Sequence, residues 1–158
     1  PEAERVVAQL RDRYDPSAVA GIPAHITLVT PFAPATDELC GELRAFFGEV
    51  APFPFELART GRFPDTLYLA PEPAAPFAAL IGQLTARYPD HPPYGGAFDA
   101  VIPHLTVAHA ASSATLDAIG AVVRSTLPVQ ALATTALLFE GSNEDGWTER
   151  GRFRLGPG

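Results

Sequence analysis

The feature that most constrains the fold is a short pattern that occurs twice. His25 opens the sequence His-Ile-Thr-Leu-Val, and His104, 79 residues further on, opens His-Leu-Thr-Val-Ala. Each copy therefore reads His, apolar, Thr, apolar, apolar, and each follows a nearby proline, Pro23 or Pro103. A repeat at this spacing indicates a chain built from two related halves that contribute one copy each.

The residues around each copy predict a strand. Residues 24–30 and 104–109 are rich in β-branched and apolar side chains, which is typical of short strands. Side chains two positions apart point to the same face of a strand, so the imidazole and hydroxyl of each copy would lie side by side. Pairing of the halves would then bring two imidazoles and two hydroxyls to one cleft. These groups belong to His25, Thr27, His104 and Thr106.

The rest of the chain alternates between predicted helices and strands. Apolar residues at helical spacing predict helices over residues 1–14, 36–50, 74–88 and 115–127. Strand patterns cover residues 53–63, 66–70, 129–139 and 148–155. The offset of the repeat also aligns Thr36 with Thr115, and each is expected to open a helix. This order predicts an α/β or α+β protein with a single domain over residues 1–158.

Composition and charge exclude several classes of protein. The 158 residues are 47% hydrophobic, which suits a globular domain, and no apolar run approaches the roughly 20 residues of a membrane span. The single cysteine, Cys40, excludes an internal disulfide and fits a reducing, cytoplasmic setting. Its position on the apolar side of a predicted helix indicates a thiol packed in the core. The net charge is −7, whereas proteins that grip long nucleic acids usually carry a basic stripe. We therefore expect a small phosphate-bearing ligand and no extended nucleic-acid surface.

Both copies of the pattern, their spacing, the order of elements and the segment 61–71 (GRFPDTLYLAP) resemble the 2H phosphoesterase superfamily. This superfamily includes the 2′-5′ RNA ligase-like proteins and the cyclic phosphodiesterases, and the chain is most similar to small actinobacterial members. The resemblance covers almost the whole chain. It implies an α+β fold in which two related β/α lobes place antiparallel sheets around a central cleft. It also implies that the catalytic set is His25, Thr27, His104 and Thr106.

Two features depart from the family pattern. Many RNA ligase-like members carry an arginine three residues after the second threonine, and here His109 occupies that position. A protonated His109 could still contact an anion. Family members also begin with a strand before the first helix, whereas this sequence begins at the helix, so that strand is either missing from the sequence or absent from the sheet.

The two histidines suit acid-base catalysis on a phosphodiester. Because an imidazole has a pKa near 6.5, one can remove a proton from the nucleophile while the other delivers one to the leaving oxygen. The threonine hydroxyls would donate hydrogen bonds to the non-bridging oxygens. We expect no cofactor and no metal, since zinc needs three or four ligands and neither thiolate nor carboxylate accompanies the histidines.

Further side chains are candidates for substrate binding. Cations and aromatic rings could hold phosphate or stack on a base. The candidates are Arg62, Tyr68, Tyr94, Phe98 and His109. Two of them, Tyr68 and Phe98, could equally be ordinary core aromatics. The alternating Arg150, Arg152 and Arg154 are interpreted as the solvent face of the last strand.

Three functional hypotheses stay open at this point. The first is a monomeric phosphodiesterase acting on a 2′,3′-cyclic or 2′-5′ nucleotide. The second is an RNA 2′-5′ ligase or end-processing enzyme, which would require a basic groove for an RNA end. The third is a nucleotide-binding module without turnover, against which the intact histidines and threonines argue.

Overall fold

A computed structural model of the chain describes residues 2–98, 100–109 and 112–156. Its α-helices are α1 (Glu2–Tyr14), α2 (Pro16–Val19), α3 (Asp37–Gly48), α4 (Ala75–Arg87) and α5 (Ser113–Arg124). Its strands are β1 (Phe53–Phe63), β2 (Thr66–Glu72), β3 (Leu105–His109), β4 (Val129–Ala133), β5 (Thr135–Ser142) and β6 (Gly146–Arg154). A short 3₁₀ turn covers Pro93–Gly96. In the part of the chain described, no helix is long and apolar enough to cross a membrane.

The strands form two antiparallel sheets. The larger sheet has the order β3-β2-β1-β4, and the smaller one is the hairpin β5-β6. Helices α1 and α5 pack against the larger sheet, and α3 packs against β6. Each sheet thus carries helices of its own, which confirms the α+β class and the two lobes with antiparallel sheets.

Each lobe has its own apolar core. The first core cluster joins α1, α5 and the larger sheet, and its most buried members include Val7, Leu57, Leu67, Leu116 and Val123. The second core cluster joins α3, α4 and the small sheet, and its members include Leu39, Leu43, Leu80, Leu84 and Phe153. Strand β1 connects them, because Phe53 packs on the second cluster while Phe55 packs on the first.

Most predicted elements are confirmed to within a few residues, but three expectations are wrong. Residues 24–30 are an irregular segment with bends and form no strand. The predicted strand 129–139 is divided at Thr134 into β4 and β5, which belong to different sheets. Thr36 does cap α3, with Oγ1 accepting from the Leu39 N–H, but the matching cap of α5 is Ser112 rather than Thr115.

Two smaller predictions are confirmed. Cys40 is half-buried and packs against the second core cluster. The three arginines of β6 are exposed, and Phe153, between the last two of them, is buried in the core.

Candidate active site

The first copy of the repeat lies where the two cores meet. Ile26 packs against the first core cluster, whereas Leu28 and Val29 pack against the second. Apolar side chains on both sides of Thr27 thereby anchor the segment without a strand ladder. His25 and Thr27 remain half-buried between these anchors.

The two histidines make the same hydrogen bond. Nδ1 of His25 lies 2.8 Å from the carbonyl oxygen of Pro23, and Nδ1 of His104 lies 2.7 Å from that of Ile102. A carbonyl oxygen can only accept, so Nδ1–H is the donor in both cases. In the neutral imidazole this leaves the lone pair on Nε2. Both histidines of the repeat therefore have the same tautomer, and Nε2 is the available nitrogen on each ring.

Aromatic rings from the β1-β2 hairpin surround the second histidine. The His104 ring lies 5.1 Å from the Phe63 ring in an edge contact and 5.3 Å from the Tyr68 ring. Tyr68 is paired with Gly61 on one side and with Thr106 on the other. A Cβ on Gly61 would lie 2.3 Å from the Tyr68 ring, so only glycine leaves room for this ring.

The surroundings of the first histidine favour its neutral form. Burial lowers the pKa of His25 below 6.5, and the bond to the Pro23 carbonyl opposes this shift. The charge of Arg11 lowers the pKa further, Asp15 raises it, and His104 lowers it. The last effect means that the two imidazoles lie within electrostatic range of each other. Protonation of one therefore disfavours protonation of the other, as an acid-base pair requires.

His109 lies on the same face of the sheet as Thr106. Simple alternation along a strand would put these two side chains on opposite faces. The register shifts between Leu67 and Tyr68, however, so that Tyr68 pairs with Thr106 while Thr66 pairs with His109. Nδ1 of His109 lies 2.8 Å from the buried Thr66 hydroxyl, which itself donates to Asp65. His109 thus donates through Nδ1.

The structure does not bring Arg62 to the histidines. Arg62 pairs with Leu67, whose side chain is in the first core cluster beneath α5. Its Nη1 lies 2.6 Å from Oδ1 of Asp117, and its Nη2 lies 3.5 Å from Oγ of Ser113, both on α5. The arginine therefore points to the helix-covered face, opposite to that of Tyr68.

Tyr94 and Phe98 lie together on the loop between the two lobes. Their rings make an edge contact at 5.6 Å, and Phe98 is 62% exposed, so its interpretation as a core aromatic is wrong. The Tyr94 N–H donates to the carbonyl of Thr30, at the end of the first repeat segment. Tyr94 has φ of +53°, a left-handed conformation that is uncommon for an aromatic residue and needs support from its surroundings.

Sequence reasoning missed one buried pair beside the first histidine. Arg11 is 1% exposed and Asp15 is 5% exposed. Only their spacing of four residues, which suits an ion pair on a helix, could have drawn attention to them. Within the described residues there is no group of three or more His, Cys, Asp or Glu side chains placed to hold a metal.

Comparison with known proteins agrees with this fold. The crystal structure of E. coli LigT complexed with 3′-AMP superposes with a TM-score of 0.52 at 17% identity, covering 98% of this chain and 92% of LigT. A Bacillus cereus protein named as a phosphoesterase is 30% identical over 94% of this chain and 88% of its own length. A Bacillus licheniformis protein of the same name is also 30% identical, over 92% of this chain.

These observations define an enzyme of the 2H phosphoesterase class. The family model of the 2′-5′ RNA ligase superfamily matches residues 1–145. The chain belongs to this superfamily.

Proposed function

We propose that this enzyme is a metal-independent phosphodiesterase that acts on a 2′,3′-cyclic or 2′-5′-linked nucleotide. The observation that carries the proposal is the shared Nδ1 anchor of His25 and His104, which leaves Nε2 of each ring available. Two such nitrogens within electrostatic range suit a reaction that takes up one proton and releases another.

The proposed reaction is hydrolysis. The neutral histidine accepts a proton from water, the water oxygen bonds to phosphorus, and the bond from phosphorus to a ribose oxygen breaks. The protonated histidine gives its proton to that leaving oxygen. Thr27 and Thr106 donate to the non-bridging oxygens, where negative charge increases in the transition state. Each proton transfer is expected to contribute about 10²–10⁴ in rate.

The proposed substrate contacts are aromatic and cationic. Tyr68 lies against His104, and the exposed Phe98 with Tyr94 offers a surface on which a base can stack. His109 lies on the face of Thr106, and because its Nδ1–H is bonded to Thr66, it can donate to a phosphate through Nε2 when the ring is protonated. The 3′-AMP bound to LigT supports a small nucleotide ligand. Arg62 is left out of this proposal because of its ion pair with Asp117.

The test is a phosphodiesterase assay in the presence of EDTA. The substrates are 2′,3′-cyclic mononucleotides, ADP-ribose cyclic phosphate and 2′-5′-linked dinucleotides. We expect His25→Ala and His104→Ala each to lower kcat by at least about 10²-fold, because each removes one proton transfer. His91→Ala is the matched control, since that ring packs on Phe32. Activity at the wild-type level in either catalytic variant, or its loss in EDTA, would contradict the mechanism.

Action on an RNA end is the second candidate, and the membership in a superfamily named for RNA ligases favours it. Salt separates the two candidates. A mononucleotide makes few phosphate contacts, so its affinity should change little between low and moderate salt. An RNA held by many phosphates should lose affinity steeply over the same range. A 2′-5′-linked oligomer with a steep salt dependence and no turnover of mononucleotides would establish the RNA substrate.

A further inference from the structure

A buried ion pair lies at the end of α1, next to the first repeat segment. Nε of Arg11 donates to Oδ2 of Asp15 at 3.0 Å. The other oxygen, Oδ1, accepts from the N–H of Ser17 at 3.0 Å and from its hydroxyl at 2.8 Å. Both carboxylate oxygens are therefore occupied, and Asp15 caps α2 at the same time.

The guanidinium also binds the chain just before His25. Nη1 of Arg11 donates to the carbonyl oxygen of Ile22 at 3.1 Å. The N–H of Ala24 donates to the carboxylate of Glu4, which is also on α1. Helix α1 thus holds the residues on both sides of Pro23. The Pro23 carbonyl, fixed between them, is the acceptor for Nδ1–H of His25.

Stability alone gives little reason for such a pair. Removing two charges from water costs several kcal/mol per ion, and apolar side chains of similar volume often stabilise a fold equally well. An arginine fork, in contrast, fixes three acceptors in definite directions, here Asp15, Ser17 and Ile22. Its contribution is therefore to geometry more than to stability.

We propose that the Arg11–Asp15 pair is a positioning device for His25, which fixes the Pro23 carbonyl and so the tautomer and the direction of Nε2. This inference rests on the proposed function of His25, but its structural part can be tested without turnover. The second histidine is held differently. His104 bonds to the carbonyl of the exposed Ile102 and packs on Phe63 and Tyr68.

The charges around His25 allow the proposal to be tested through the pKa of this histidine. The pKa of His25 is lowered first by burial; Arg11 and His104 lower it further, while Asp15 raises it. Glu4 lies close by at the Ala24 N–H. Asp15→Asn removes a charge that raises the pKa, so the pKa of His25 should fall further. Asp117→Asn is the matched control, because it removes the same kind of charge from an ion pair on α5.

The experiment combines histidine NMR with kinetics. In ¹⁵N-histidine-labelled protein, the two ring nitrogens report the tautomer and the pKa of His25 directly. Wild type should show the Nδ1–H tautomer. The double variant Arg11→Met/Asp15→Leu replaces the pair by apolar side chains and should remain folded. In it the Nδ1–H tautomer should lose its dominance, and kcat should fall about 10–100-fold with little change in KM.

Each outcome decides the inference. Wild-type tautomer, pKa and kcat in the folded double variant would overturn it. If that variant does not fold, the Asp15→Asn variant is used instead. A His25 pKa that is lower in Asp15→Asn than in Asp117→Asn supports the inference. Equal His25 pKa values in these two variants overturn it. If wild type turns over no substrate, the proposed function fails, while the tautomer comparison still tests the positioning.

Discussion

At the scale of single residues, the two histidines share a hydrogen bond but differ in their surroundings. Both donate Nδ1–H to a backbone carbonyl two residues earlier. Only His25 lies beside a buried ion pair, and burial is the largest cause of its lowered pKa. Equal sequence patterns therefore lie in unequal surroundings. The lowered pKa makes His25 a candidate for the proton acceptor, because a buried imidazole stays neutral to lower pH than an exposed one.

This difference predicts the pH dependence of the reaction. A base is active when neutral, and the lowered pKa of His25 means that half of it is protonated only at a pH below 6.5. We therefore expect the acid limb of kcat/KM to have its midpoint below pH 6.5. A profile of kcat/KM across the acid range measures this. An acid limb with its midpoint at 6.5 or above would show that His25 is not the base.

A glycine next to Tyr68 gives a second prediction. Gly61→Ala would place a methyl group 2.3 Å from the Tyr68 ring and push this ring against His104. Such overpacking should cost about 1–3 kcal/mol in the free energy of unfolding and should lower kcat.

Gly82 provides the control for that substitution. A Cβ at Gly82, within α4, meets no atom within 4 Å. Gly82→Ala should therefore stabilise the protein by about 1 kcal/mol without changing kcat, because alanine has the higher helix propensity. Urea denaturation followed by circular dichroism measures both effects. Equal stability of the two variants would contradict the close approach of Tyr68 to Gly61.

At the scale of elements, local patterns predicted what depends on local spacing. Helices α3 and α4 follow from apolar residues on one side, and β1 with β2 follows from two apolar runs around a turn. The segment 24–30 has the composition of a strand, yet a strand also needs a partner, which its own sequence does not specify. Its anchors, Ile26 and Leu28, instead pack into two different cores.

Local sequence patterns likewise predicted only part of the candidate site. The repeat alone identified His25 and His104, because two copies in one chain are a signal that needs no three-dimensional information. The face of His109 depends on a register shift at Val107 within β3, and the burial of Arg11 depends on what α1 packs against. A local sequence pattern reveals neither of these features. From its local sequence alone, an arginine on a helix is expected to be exposed to solvent.

The cap of α3 gives a prediction at this scale. Oγ1 of Thr36 accepts from the Leu39 N–H at 3.1 Å, so Thr36→Ala should cost about 1 kcal/mol in the free energy of unfolding. Thr115→Ala is the matched comparison, since Thr115 lies within the first turn of α5 and its hydroxyl contacts that of the cap, Ser112, at 2.8 Å. Denaturant titration of both variants measures the difference. A cost at Thr115 equal to that at Thr36 would contradict the assignment of the caps.

At the scale of the whole molecule, the site depends on the joint between the two cores. Strand β1 and the first repeat segment pass from one core cluster to the other. The backbone N–H of Trp147, on β6, donates to the carbonyl of Ala20 beside α2. The small sheet is thereby tied to the chain that leads into the first histidine. These links should make the two lobes a single cooperative unit.

Loss of packing in one lobe should therefore be detected in the other. Leu116 on α5 is fully buried in the first core cluster, so Leu116→Ala should cost about 2–5 kcal/mol. Trp147 fluorescence reports on the second lobe, and its urea midpoint should fall together with that measured by circular dichroism. Val122→Ala, at an exposed position on the same helix, should shift neither. An unchanged Trp147 midpoint in Leu116→Ala would mean that the lobes unfold independently, and that the first histidine is held between two separate domains.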